Sequence, residues 1–208
     1  GRAKLDAAHK ERAAAVTGFA FGAGLFGAGV SWIAIALERF GGMPAPLAIL
    51  GIAGFCAYLA LWPALAGWAV ARVAPAVSAA RLVAAAGAWT LAQWLRGVVL
   101  SGFPWLAVGH AELPGSSLAG FAPLGGVFGV SLAVAASAAL LAWLIDAVAR
   151  RERSHALGAA GAIAALFAAG AALDRVEWTR LHAAPIAVAL VQGNIAQEIK
   201  WRDEVRAK

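Results

Sequence analysis

Long apolar runs alternate with short charged breaks along this chain, and the run lengths carry the first structural message. Arg12 and Glu38 bracket an uncharged stretch, Ala13–Leu37, and a second runs over Ala45–Ala71 between Pro44 and Arg72. A helix needs ~20 residues to cross ~30 Å of hydrocarbon, so each run suffices. Pro63 falls inside the second run, and with no N–H to give it predicts a kink there. Leu82–Leu95, between Arg81 and Arg96, is short, so the third helix is expected over Val77–Leu100 with both arginines reaching toward the interfaces. Leu124–Val148, with Asp146 near its end, and Ala156–Leu173, closed by Asp174 and Arg175, predict two more. The pattern predicts an all-α, multi-spanning membrane helix bundle over residues 1–182, with about five crossings at 13–37, 45–71, 77–100, 124–148 and 156–173.

The pattern changes after Arg180. Ile186–Val191 (IAVALV) is too short to span, follows Pro185 and ends at the turn signal Gln192-Gly193-Asn194, which reads as a buried β-strand. The polar QEIKWRDEVRAK that follows reads as the start of a helix. One strand cannot satisfy its own backbone groups, so residues 183–208 are expected to open a second, water-facing α/β domain. The chain begins at Gly1 and its one methionine is Met43, so it reads as a piece of a longer protein.

Composition sharpens the class. Of 208 residues 62% are hydrophobic and 13% charged, with mean hydropathy +0.77. Soluble domains carry about twice that share of charge, which excludes disorder, a solvated coiled coil and an ordinary soluble enzyme. The net charge of +6 would suggest nucleic acid in a soluble domain. In a membrane chain it is a topology signal, and no nucleic-acid partner is expected. One set of flanks holds Arg2, Lys4, Lys10 and Arg12, then Arg72 and Arg81, then Arg150, Arg151 and Arg153; the other short loops hold only Arg39 and Arg96. The first set is therefore expected in the cytoplasm, with loops 38–44 and 101–123 and the region from Asp174 outside.

Gly18 and Gly22 form a GxxxG, and Ala20, Gly24 and Ala28 continue small residues at spacing four, so the first helix is expected to accept a close neighbour. The loop Phe40–Pro46 (FGGMPAP) reads as a rigid re-entry turn, with a role in admitting lipid as the alternative. The richest stretch is LRGVVLSGFPWLAVGHAELPG, which places Arg96, Phe103, Pro104, Trp105, His110 and Glu112 in one outward segment. An arginine at headgroup depth can bind lipid phosphate, and Phe-Pro-Trp suits an interfacial anchor. His110 with Glu112 offers a general-base pair; the plainer reading is a membrane-anchored loop with a snorkelling arginine. Cys56, the one cysteine, lies mid-span with no cationic partner in sequence and reads as an inert buried thiol. No metal-ligand spacing, phosphate loop, dinucleotide fingerprint or nucleophile elbow is present, so no metal site and no cofactor is expected. No charged residue lies at mid-span, which counts against a transporter.

Three segments carry a family resemblance: Gly18–Pro46, Gln93–Glu112 followed by Ala122–Ser131, and Val188–Trp201 (VALVQGNIAQEIKW). In this order, with LRG…GFPWL and VQGNI…KW as the specific elements, the chain resembles the apolipoprotein N-acyltransferases, inner-membrane enzymes that complete bacterial lipoprotein acylation. The resemblance implies eight membrane helices, of which the five here are the third to seventh, and a periplasmic nitrilase-like α-β-β-α domain beginning at Ile186. It implies an acyl chain moving from a phospholipid, chiefly phosphatidylethanolamine, to a cysteine thioester and then to the α-amine of a diacylglyceryl apolipoprotein, on an enzyme working as a monomer. The family's Glu-Lys-Cys triad is matched by none of Cys56, Glu198 or Lys200 and is expected beyond Lys208. Trp201 matches a position near the acyl site, and Arg96, Phe103, Pro104 and Trp105 match the outer-loop motif, so these five are the substrate-binding residues the resemblance implies. His110 stands where tyrosine is common, and Ala196 where proline is frequent. Two rivals remain: the membrane half of a polyprenol-phosphate mannosyltransferase fusion, and a non-catalytic membrane anchor.

Overall fold

The structure, a computed structural model, describes residues 2–74, 78–112, 115–180, 182 and 186–194, with side chains from Lys4 onward. Every regular element among them is helical. α1 (Arg2–Gly29) breaks at Val30–Trp32 and resumes as the short α2 (Ile33–Ile35), which widens into a π turn over Ala36–Phe40. α3 (Ala45–Val73), α4 (Ala79–Arg96), α5 (Ala122–Ala149) and α6 (Arg153–Leu173) follow. Each helix packs on the next long one, α1 on α3, α3 on α4, α4 on α5 and α5 on α6.

Small residues bring α1 onto α3. A Cβ added at Gly18 would strike the Pro63 carbonyl, and one at Gly22 would meet Ala60 Cα at 2.8 Å. The GxxxG therefore faces its neighbour, as the spacing predicts. The second row does not: Ala20, Gly24 and Ala28 are exposed, and nothing lies within 4 Å of a Cβ at Gly24. Four-residue spacing fixes which residues share a face but not which face meets a partner. The kink expected at Pro63 does not break the helix: α3 runs continuously through it, and Pro63 is buried against α1. Phe26, Val30, Cys56 and Leu59 form the buried core of this pair.

Among the described residues three helices are long and apolar enough to cross a membrane: Ala45–Val73, Ser117–Ala149 and Arg153–Leu173. Lys4–Gly29 and Ile33–Phe40, bent by 55°, make a fourth if taken as one span. Ala79–Arg96 is shorter than the expected 77–100 and does not qualify alone, because Arg81, Gln93 and Arg96 dilute it. Little of the apolar surface is covered by protein: 22%, 17% and 11% of the three most apolar stretches are buried. Such faces require lipid or further helices.

The expected strand is a correction. Residues 186–194 form no strand, and Leu190 and Val191 are each 94% exposed. No ladder partner exists for them among the described residues, and an unpaired apolar run gains nothing from a pleated conformation. The predicted helix after it, with Trp201, lies outside the described residues.

The connection 30–44 and residues 97–112 of the next one lie at one end of the bundle, because Gly29 meets Leu106 and Phe55 meets Phe103. The end of α6 joins them through the close approach of Gly170 to Gly120. The opposite end gathers Glu11 with Arg72, the Arg81–Ala74 contact, and the turn Arg150–Glu152.

Candidate functional site

The loop after α4 is built around one arginine. Arg96 is 2% exposed, at the last turn of α4. Its Nη1 donates to the carbonyl oxygens of Phe103 at 2.5 Å and Trp105 at 2.6 Å. The Phe103 N–H donates back to the Arg96 carbonyl at 2.8 Å, closing the loop on its own base. The guanidinium carbon stands 5.1 Å from the centroid of the Phe26 ring on α1, a cation–π contact. No carboxylate lies within ion-pair distance of Arg96 among the described residues, so its charge is solvated by carbonyl dipoles and an aromatic face.

That clamp holds a contorted backbone. Leu100, Ser101 and Leu106 all have positive φ without being glycine. Each such residue costs of order 1–3 kcal/mol and persists only where the surroundings over-determine it. Gly102, at φ +74°, is needed on two counts: its φ is left-handed, and a Cβ there would overlap the Gly97 carbonyl. Downstream, the Gly109 N–H donates to the buried Ser131 hydroxyl at 3.0 Å and ties the loop to α5.

The clamped loop presents an aromatic ladder. Phe55 on α3 lies 5.0 Å, edge to face, from Phe103, and Phe103 stacks 5.3 Å from Trp105, which is 56% exposed. Pro104 is exposed beside it, its Cβ packed toward Gly97. Phe55 also lines a groove of about 490 Å³ with Ile33, Leu37, Met43, Leu47, Gly51 and Ile52, all without a polar side chain. The groove runs between the bent arm 33–40 and α3, and the turn Phe40–Pro46 bounds it.

Other sequence candidates do not assemble. His110 and Glu112 share the short 3₁₀ turn Val108–Glu112, but no hydrogen bond or ion pair joins them. Cys56 is free and buried in the α1–α3 core. No group of three or more His, Cys, Asp or Glu is placed to hold a metal among the described residues. Sequence reasoning passed over Phe55, Phe26 and Gln93. Only Gln93, a lone amide three residues before Arg96, carried a signal.

Residues 4–140 match the family profile described as the apolipoprotein N-acyltransferase N-terminal domain. The chain belongs to the apolipoprotein N-acyltransferase family. The apolipoprotein N-acyltransferase of Nitrosomonas europaea is 46% identical over 192 residues, covering 92% of this chain and 37% of the relative. That of Chromobacterium violaceum is 43% identical over 187 residues, 90% of this chain and 36% of the relative. That of Methylococcus capsulatus is 42% identical over 196 residues, 93% of this chain and 38% of the relative. The chain thus spans a little over a third of the length of these N-acyltransferases, and both the loop Arg96–Trp105 and the groove fall inside the matched profile.

Proposed function

We propose that this chain is the membrane portion and domain junction of an apolipoprotein N-acyltransferase, in the bacterial inner membrane with loop 97–121 facing the periplasm. The reaction it serves moves an acyl chain from a phospholipid to a cysteine thioester and then to the amine of a diacylglyceryl-cysteine, with the Glu-Lys-Cys triad supplied by a nitrilase-like domain that opens within 183–208. Five crossings complete this chain's share of the bundle, with Ala79–Arg96 spanning among its neighbours. The enzyme works as a monomer and needs no cofactor.

One observation carries the reading. An all-apolar groove is joined through Phe55 to a clamped Phe103–Trp105 ladder at one end of the bundle. Each acyl CH₂ taken out of hydrocarbon into water costs about 0.8 kcal/mol, so a lipid-modifying enzyme must work where the chains already are. The groove suits an acyl tail, and the ladder at its mouth suits the glycerol and headgroup depth where aromatic rings settle. Arg96 serves here by holding Phe103, Pro104 and Trp105 in place, because its guanidinium is turned inward to their carbonyls. Basic residues gathered at the far end support the orientation.

The test uses the full-length enzyme in phosphatidylethanolamine vesicles with a diacylglyceryl-cysteine peptide as acceptor. Trp105→Ala is expected to raise the KM for the lipid donor about tenfold with kcat within about twofold, since it removes binding rather than chemistry. An unchanged KM removes the ladder from lipid recognition. Absence of acyl transfer in the unaltered enzyme overturns the whole reading.

A further inference from the structure

Directly behind the clamp, three helices enclose a small cavity. Leu25 and Phe26 of α1, Trp62 and Pro63 of α3, and Trp89, Gln93 and Arg96 of α4 line it, and Leu106 of the loop closes it. Polar side-chain atoms on its walls come only from Trp62, Trp89, Gln93 and Arg96. Gln93 is 5% exposed, and neither its Oε1 nor its Nε2 has a hydrogen-bond partner. The Trp62 indole N–H is likewise buried without an acceptor. Arg96 spends only Nη1 on the loop carbonyls, which leaves its other N–H groups to give. Buried polar atoms in native proteins are overwhelmingly paired, with protein or with ordered water.

Size selects the partner. The space open to the centre of a water molecule is about 10 Å³. That is the room one water requires, and a headgroup or acyl chain needs tens of times more. Chemistry agrees. Trp62 and Arg96 can only donate, so a bridging molecule must accept twice, and Gln93 Oε1 needs a donor. A water has two lone pairs and two protons and meets all three, the usual valence of a buried water.

We propose that this cavity is a binding site for one structural water, joining Gln93 and Trp62 to Arg96, and that Gln93 is thereby a positioning residue for the loop that carries Trp105. The water adds an oriented dipole to a buried cation that has no carboxylate beside it among the described residues. Leu106, which roofs the site, follows Trp105 directly and sits at φ +61°, so the water and the strained loop backbone occupy the same joint. The consequence for acyl transfer rests on the function proposed above, whereas the water and the loop order do not.

Two measurements on the full-length protein test it without reading acyl transfer. In a structure fine enough for ordered water, density is expected within hydrogen-bond distance of both Trp62 Nε1 and the Gln93 amide. An empty cavity, or a Gln93 turned to pair with protein, overturns the site. Amide hydrogen exchange then reads the loop. Gln93→Leu is expected to speed exchange in the peptide spanning 97–106 about tenfold while leaving the middle of α5 unchanged. Gln93→Glu, which keeps an acceptor oxygen, is expected to restore slow exchange. In an Arg96→Met background Gln93→Leu should add less than about twofold, because its route to the loop is gone. Loop exchange unaltered by Gln93→Leu, equal acceleration throughout the protein, or full additivity with Arg96→Met each refutes the positioning role.

Discussion

The two ends of this bundle both hold arginines, and they use them in opposite ways. At the turn between α5 and α6, Arg150 pairs with Asp146 at 2.9 Å with its side chain 59% exposed, and Glu152 meets His155 at 2.9 Å on the surface. At the other end Arg96 is 2% exposed, has no acidic partner among the described residues and gives Nη1 to two carbonyls of its own loop. The first arrangement is charge as an address: exposed ion pairs contribute little, and the cations matter for which side of a membrane they stay on. The second is charge as a fastener, since a planar guanidinium can hold two backbone carbonyls at once inside a low-dielectric joint. A helix-flanking arginine looks the same in sequence in both roles.

Removing the fastener is expected to have the largest effect. Arg96→Ala takes away two charge-assisted bonds, each worth about 1.5–3 kcal/mol, and frees a loop whose three non-glycine positive-φ residues then have reason to relax. A net loss of about 3 kcal/mol in loop closure corresponds to about a hundredfold. Acyl transfer by the full-length enzyme should fall by about that factor while membrane insertion stays intact. Arg96→Lys should recover only part, because lysine keeps the charge but loses the planar guanidinium over the Phe26 ring. A normal rate with the phospholipid donor in Arg96→Ala would end the contrast between the two ends.

Helix packing gives the next largest difference, and it too is a comparison. Gly22→Leu drives a side chain into Ala60 and is expected to cost about 1–3 kcal/mol, read as earlier thermal unfolding in detergent. Gly24→Ala lies two residues away on the open face and should be neutral or stabilising by up to about 1 kcal/mol through helix propensity. Equal losses at both positions would mean that α1 turns a different face to α3. Trp201→Ala belongs in the same range for function, with acyl transfer slowed several-fold and insertion unaltered; unchanged kinetics would detach Trp201 from the acyl site.

How much of this was legible beforehand follows from what each signal encodes. Run length and charge breaks located α3, α4, α5 and α6 within a few residues, because the hydrocarbon thickness imposes them, whereas α1 starts at Arg2, well before its apolar run, and breaks at Val30–Trp32 inside it. Gly18 and Gly22 announced a close contact, because only small residues permit one. Phe103-Pro104-Trp105 announced an aromatic cluster through residue type alone. What stayed hidden depends on partners distant in sequence. Whether Pro63 kinks α3 depends on its neighbours, and the helix stays unbroken with Pro63 packed against Gly18. Whether Ile186–Val191 pairs as a strand depends on strands it does not meet here. Phe26 beneath Arg96, and the cavity that Trp62 and Gln93 both line, join helices in a way that no periodicity records.

The smallest effect closes the contrast from the other end. Arg150→Ala removes an exposed i,i+4 pair with Asp146, an interaction worth about 0.3–0.5 kcal/mol at most. Thermal stability and acyl-transfer rate are therefore expected to stay within measurement error. Arg151 and Arg153 remain in the same turn, so the charge difference between the ends survives and orientation should hold as well. Reversing all three, Arg150→Glu with Arg151→Glu and Arg153→Glu, alters the address itself. Protease protection of the α5–α6 turn in intact spheroplasts should then weaken in a fraction of molecules, while molecules still in the original orientation keep the slow amide exchange of loop 97–106. If that triple reversal loosened the distant loop in correctly oriented molecules, the two ends would be energetically coupled, and the separation of address from fastener would fail.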